Sequence, residues 1–160
     1  MEAIAKRAGV SKETLYRWWR SKTEVVLEAL AEHGQRTIPL PDTGSLADDL
    51  RAFLRATVDS ADPTTVRLLH AIAAAAAADQ GVAHQVRDQF LITRREALGK
   101  LLERAVSRGE ITGHYAAMAV DLVYGSLWYR LIFDVGPLDY GWADAVAAAI
   151  AWRRAMGPIT

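Results

Sequence analysis

A helix stop and a helix start lie two residues apart near the beginning of the chain, at Gly9 and Ser11. Glycine readily takes the left-handed conformation that ends a helix, because it has no Cβ to clash. Serine supplies a hydroxyl that caps the free amides of the next helix. The pair predicts two short helices, Glu2 to Ala8 and Lys12 to Trp18, joined by a sharp turn that sets a steep crossing angle. Ala5 and Ala8 are small enough for close approach. Ile4, Val10 and Leu15, with Trp19 nearby, supply the apolar contact between the two helices.

The same punctuation divides the remaining chain. Ser21 caps a third helix from Lys22 to about Gln35, with Glu24 at the positive end of its dipole. The run Pro39 to Gly44 reads as a linker between an N-terminal unit, 1–38, and a C-terminal unit, 45–160. Ser45-Leu-Ala-Asp48 resembles a capping box and opens a helix to about Ser60. Asp62-Pro63 opens another, ending near Gly81. A long helix follows from Val82 to Arg108, with Phe90, Ala97, Leu98, Leu101, Leu102 and Ala105 on one face and Gly109 at its end. Two more run from Tyr115 to Phe133 and from Trp142 to Ala155. No segment sustains a strand-like alternation, so the fold class is all-α. The alanine run 73–78 favours close helix packing and implies a narrow cavity or none.

Composition excludes several classes of function. With 51% apolar and 24% charged residues, the 160-residue chain is globular rather than disordered. The absence of cysteine removes disulfides, thiol catalysis and sulfur-ligated metals. There is no H-E-x-x-H, no G-x-S-x-G and no phosphate-cradling glycine loop. Asp48 and Asp49 are adjacent on a helix and point apart, and His70 and His84 lack metal-ligand spacing. No catalytic residue, cofactor or metal is expected. No basic start precedes an apolar run, and Ala116 to Phe133 carries Asp121 and Arg130, so a cytoplasmic protein without a membrane partner is expected. Net charge is zero, yet residues 1–22 carry six basic and two acidic side chains, 6 − 2 = +4. Charge alone leaves a solvated helix face as open a reading as a nucleic-acid surface.

The motif decides between them. A capped, exposed helix start bearing Lys12, Thr14, Tyr16 and Arg17 suits a phosphate backbone and the base edges of a major groove. The run I-A-x-x-A-G-V-S-x-x-T-L-Y-x-x-W-x-S-K, from Ile4 to Lys22, resembles the helix-turn-helix signature of the tetracycline-repressor (TetR) family of bacterial transcriptional regulators, with Trp19 where that family usually has Phe. The resemblance implies that Lys12, Glu13, Thr14, Arg17 and Trp18 meet base edges or the nearby groove. It implies that Tyr16 and Lys22 meet phosphates and that Ser11 caps the recognition helix. Ordinary packing for Tyr16 and Trp18, and a solvated place for Lys22 and Glu13, stand beside those roles. The family carries one more helix ahead of this motif, so a truncated three-helix head is expected, with Ile4, Leu15 and Val26 partly uncovered.

The C-terminal stretches Arg94 to Glu110 and Gly125 to Phe133 resemble one type of the family's ligand-sensing bundle. That resemblance implies a homodimer held by a four-helix interface, for which Leu122, Gly125, Ser126, Tyr129, Val146 and Ile150 are candidates. It also implies a small-molecule effector, with Phe53, Leu69, His70, Phe90, Thr93, Tyr124, Trp128 and Tyr129 as candidate pocket residues; plain core packing is the alternative for each. The expected function is a ligand-released repressor that reads a palindromic double-stranded DNA operator as a dimer. The alternative is a helical ligand- or protein-binding dimer with a vestigial reading head.

Overall fold

The computed structural model describes residues 1–152, and the order of elements is helical throughout that range. Helices α1 (Glu2–Ala8) and α2 (Lys12–Trp18) are joined at Gly9, whose φ of 67° and ψ of 25° are left-handed. Ser11 Oγ accepts the Thr14 amide at 3.1 Å. Helix α3 (Lys22–Thr37) is fastened at both sides of its start: Ser21 Oγ accepts the Glu24 amide at 3.1 Å, and the Glu24 carboxylate accepts the Arg20 amide at 2.6 Å. Helices α4 (Leu46–Ser60) and α5 (Pro63–Ala78) start on the caps Ser45 and Asp62.

Two differences from the expected pattern lie in the middle of the chain. Helix α5 ends at Ala78 because Asp79 turns extended, with φ −141°; its carboxylate then caps Val82 at 3.0 Å and starts α6 (Gln80–Val86). The stretch from Val82 to Arg108 is not one uniform helix either. A wide, π-type turn over Arg87–Leu91 separates α6 from α7 (Ile92–Ser107). Such a turn holds an extra residue and shifts the phase of the face that follows. Phe90 accordingly packs with Leu27, Leu30, Ile72 and Val86, whereas Leu98, Leu101, Leu102 and Ala105 belong to another cluster.

That other cluster is the main core. It joins α4, α7, α8 (Gly113–Phe133) and α9 (Tyr140–Ala151) through Leu50, Phe53, Leu54, Leu98, Val123 and Ile150. Trp128 packs against both clusters and so bridges them. The expected continuation of the last helix to Ala155 lies outside the described residues.

The run 39–44 is not a loose tether. The buried Asp49 carboxylate accepts the Thr43 amide at 2.7 Å and the Thr43 hydroxyl at 2.8 Å, and Arg108 reaches it at 3.3 Å. Arg108 and Arg104 also hold Asp42, at 3.4 and 3.1 Å. Upstream, Leu27, Leu30 and Ile38 are buried among bundle residues. Helix α3 is thus shared: its start is joined to the end of α2 and its later turns belong to the bundle, although the proline-rich run marks a break in sequence. Leu15 is buried, while Ile4 and Val26 are partly uncovered.

Candidate functional site

The first candidate surface is the head. Ser11 Oγ lies 3.0 Å from Thr14 Oγ1, which fixes the start of α2. Lys12 Nζ stands 6.0 Å from the centre of the Tyr16 ring. Tyr16 is 48% exposed and Trp18 is 72% exposed, far more than packing residues would be. Lys12, Glu13, Arg17 and Lys22 are exposed as well, and Thr14 is half-buried. The Glu13 carboxyl is held below its ordinary value of 4.5, chiefly by a backbone amide, then by the Ser11 hydroxyl and the charge of Lys12. It therefore stays ionised in a helix N-terminus that favours negative charge. Trp19 turns the other way, and its Nε1 donates to Glu28 at 2.6 Å, which ties the end of α2 to α3.

The second candidate is a cavity of about 360 Å³ inside the bundle, within the range of small-molecule sites. Leu30, His33 and Gly34 of α3 form one wall, and Thr57 and Ser60 of α4 another. Thr65 and Leu69 of α5, Phe90 and Leu91 of the wide turn, and Tyr124, Trp128 and Leu131 of α8 close it. Arg94 also faces it, and Arg95 and Asp121 join its lining as a pair 2.7 Å apart. Among the candidate pocket residues, Leu69, Phe90, Tyr124 and Trp128 are brought together here. Phe53 instead lies in the main core, beneath the Arg94 guanidinium at 5.9 Å. His70 is exposed and its Nε2 meets the Leu131 carbonyl. Thr93 and Tyr129 are not in the lining. None of the alanines 73–78 reaches the cavity, so their small size does not narrow it; the space opens beside the N-terminal half of α5.

The Tyr124 hydroxyl donates to the Arg94 carbonyl at 2.7 Å. Burial raises its pKa, opposed by the nearby positive charge of Arg94, so the phenol is neutral at ordinary pH. His33 Nε2 lies 3.2 Å from the Ser60 carbonyl, which links α3 to the end of α4.

The third candidate surface runs along α8. Leu122 is 50% exposed, Tyr129 58% and Phe133 68%, and Met118 is exposed on the same side. Tyr129 and Phe133 stack with ring centres 5.8 Å apart. By length and composition α8 is apolar enough to cross a membrane, and 33% of its apolar stretch is buried. Gly125 is exposed and also borders the cavity. Ser126 is half-buried and holds the Trp142 indole N–H at 3.3 Å. Two of the candidate interface residues fall inside the protomer. Ile150 is in the core, with its carbonyl taking the Tyr115 hydroxyl at 3.1 Å, and Val146 packs against that core. The reason is that α9 turns Trp142, Ala143, Ala147 and Ile150 inward, leaving Ala145, Ala148, Ala149 and Trp152 exposed. In a helix so rich in alanine the two faces differ little, and spacing alone did not distinguish them.

The head and the bundle each have counterparts among known proteins. Bacterial regulatory proteins of the tetR family match residues 1–29, and the tetracyclin repressor-like C-terminal domain matches residues 40–150. The chain belongs to the tetR family. An uncharacterized HTH-type transcriptional regulator of Bacillus subtilis, YdeS, is 32% identical over 136 residues, 82% of this chain and 67% of that protein. The DNA-binding transcriptional repressor TetR of Mycobacteroides abscessus is 31% identical over 144 residues, 87% of this chain and 74% of that protein. The HTH-type regulator AqdR of Rhodococcus erythropolis is matched over 64% of its length. The crystal structure of the TetR family transcription regulator SCO0332 superposes with a TM-score of 0.85 at 30% identity, covering 94% of this chain and 84% of that one. TetR family members are transcriptional regulators with a helix-turn-helix, a class generally soluble, cytoplasmic and not enzymatic.

Proposed function

We propose that the protein is a ligand-released repressor that binds a palindromic operator as a homodimer through α2. The observation that carries this reading is the double engagement of α3. Its N-terminal half is tied to the end of the recognition helix, where Trp19 donates to Glu28, and to the following Arg20, whose amide the Glu24 carboxylate accepts. Its later turns, at Leu30, His33 and Gly34, wall the cavity. A ligand that changes the seat of α3 changes the angle of the head, and a preference for one angle shifts the population of DNA-competent dimers.

In this reading Lys12, Thr14, Arg17 and Trp18 enter the major groove, Tyr16 and Lys22 contact phosphates, and Ser11 caps the helix that does so. Glu13 sits at the groove edge. The dimer forms on the outer side of α8 and the outward alanines of α9, which sets two heads for grooves about 34 Å apart. The named repressor among the relatives supports the direction of regulation. A small apolar effector enters the cavity, and the protein works in the cytoplasm without a metal, cofactor or catalytic step.

The test is fluorescence anisotropy with duplexes tiling the region that flanks its own gene, at two salt concentrations. Tight, salt-sensitive binding to one short palindrome, with two protomers per duplex, is expected. Binding no better than to random DNA overturns it. That result would favour the second reading, a helical ligand- or protein-binding dimer with a vestigial head.

A further inference from the structure

Arg94 is the least exposed arginine among the described residues, at 7%. Arg51, Arg55, Arg87, Arg95, Arg104 and Arg108 each pair with a carboxylate. No carboxylate lies within ion-pair distance of Arg94 among the described residues. Its neighbours are neutral: the Phe53 ring at 5.9 Å, the Tyr124 phenol and the backbone of Gly34. A buried charge without a counter-charge is costly, and guanidinium cannot escape by losing its proton. A protein keeps such a group where something else supplies the anion.

The surroundings hold the guanidinium at the cavity. A Cβ added to Gly34 would stand 2.9 Å from Arg94 Nη1, so the glycine in α3 leaves the space the side chain fills. The Phe53 ring lies 5.9 Å from the guanidinium carbon. The two remaining charges of the lining, Arg95 and Asp121, satisfy each other at 2.7 Å. The sum over the three is one uncancelled positive charge in an otherwise largely apolar chamber. We infer that the ligand of this cavity is an apolar organic anion, carrying one carboxylate, sulfonate or comparable group that pairs with Arg94. This rests on the proposal that the cavity is the effector site and adds the ligand's charge to it. Guanidinium forms bidentate, charge-assisted bonds with such groups, and the low-dielectric wall strengthens them.

Two dyes with the same ring system separate charge from cavity. Anilinonaphthalene sulfonate carries the anion, and phenylnaphthylamine lacks it; both fluoresce in apolar sites. The wild-type protein is expected to bind the sulfonate about tenfold or more tighter than the neutral dye. Arg94→Met should lose that preference while its affinity for the neutral dye stays within about twofold, and Arg94→Lys should keep most of it. Leu69→Trp, which fills the chamber, should weaken both dyes. Equal affinity of the wild type for the two dyes, or an unchanged preference in Arg94→Met, overturns the anionic ligand while the cavity reading survives. Failure of both dyes to bind, or binding that ignores Leu69→Trp, overturns the cavity reading and the anionic ligand together.

Discussion

Leu98 in α7 and Leu15 in α2 are both buried leucines, and their surroundings differ in kind. Leu98 sits in a cluster that runs through four helices of the bundle, with Leu50, Phe53 and Leu101 among its members. Leu15 belongs to neither cluster, and its partners in the head are small or half-covered. The bundle is held by apolar burial across distant parts of the chain. The head is held by caps, a glycine turn and two short-range bonds to α3. Stability therefore resides in one region and, in the function proposed above, recognition in the other, and α3 is the element common to both.

The sharpest way to break this comparison is to cut the same group from each region. Leu98→Ala should lower the free energy of unfolding by about 3 kcal/mol, the cost of a cavity in a close-packed core. Leu15→Ala should move the main urea transition by less than about 1 kcal/mol and still weaken DNA binding. Equal losses in the two variants would show that the head contributes to the common core. Next in size is Asp49→Ala, which leaves Thr43 without its acceptor and Arg108 without its buried partner. A loss of about 2 kcal/mol in chemical denaturation is expected, with the recognition residues of the head untouched.

Surface changes in the head should do the reverse. Tyr16→Ala and Lys22→Ala should each weaken binding to every duplex alike, by about fivefold to tenfold, with melting temperature unchanged. Lys22→Ala should also flatten the salt dependence by about one charge. Loss confined to one operator sequence would assign these side chains to base edges instead. The smallest effect concerns the rim between α4 and α9. The Asp144 carboxyl is held below its ordinary value of 3.8, first by its hydrogen bond from Arg55, at 2.6 and 2.9 Å. A depressed carboxyl stabilises the fold above its unfolded pKa, and the contribution fades as pH falls through the folded value. Asp144→Asn should therefore melt slightly lower than the wild type at neutral pH, and the two should converge in strong acid. Parallel melting curves from pH 7 to about pH 2 would remove Asp144 from the account.

Much of this division was legible in the residues. Gly9, Ser11, Ser21, Ser45 and Asp62-Pro63 mark helix boundaries because capping is a local matter between neighbours. The interior was harder, since it depends on what each face meets. A signal was nevertheless present at Arg94. It stands four residues after Phe90 and four before Leu98, on an otherwise apolar stripe, where a charge has no solvent to enter. Asp49 stands in the same way between Leu46, Leu50 and Phe53. The exposed side of α9 carried no comparable mark. Alanine fits a core and a surface equally, and only the packing of Trp142 and Ile150 fixes its direction.

The wide turn at Arg87–Leu91 acts like a slack link taken up within a stiff rod. One residue of an α-helix corresponds to about 100° of rotation. Removing a single residue from that turn would restore a regular helix and keep its length almost unchanged, and because the wide turn already absorbs the extra residue, the faces of α6 and α7 would stay where they are. What would change is the turn itself, where Phe90 and Leu91 of the cavity wall would be redistributed over four positions in place of five. A one-residue deletion there is thus an edit by which a descendant of this chain could reshape one wall of the chamber without a single substitution.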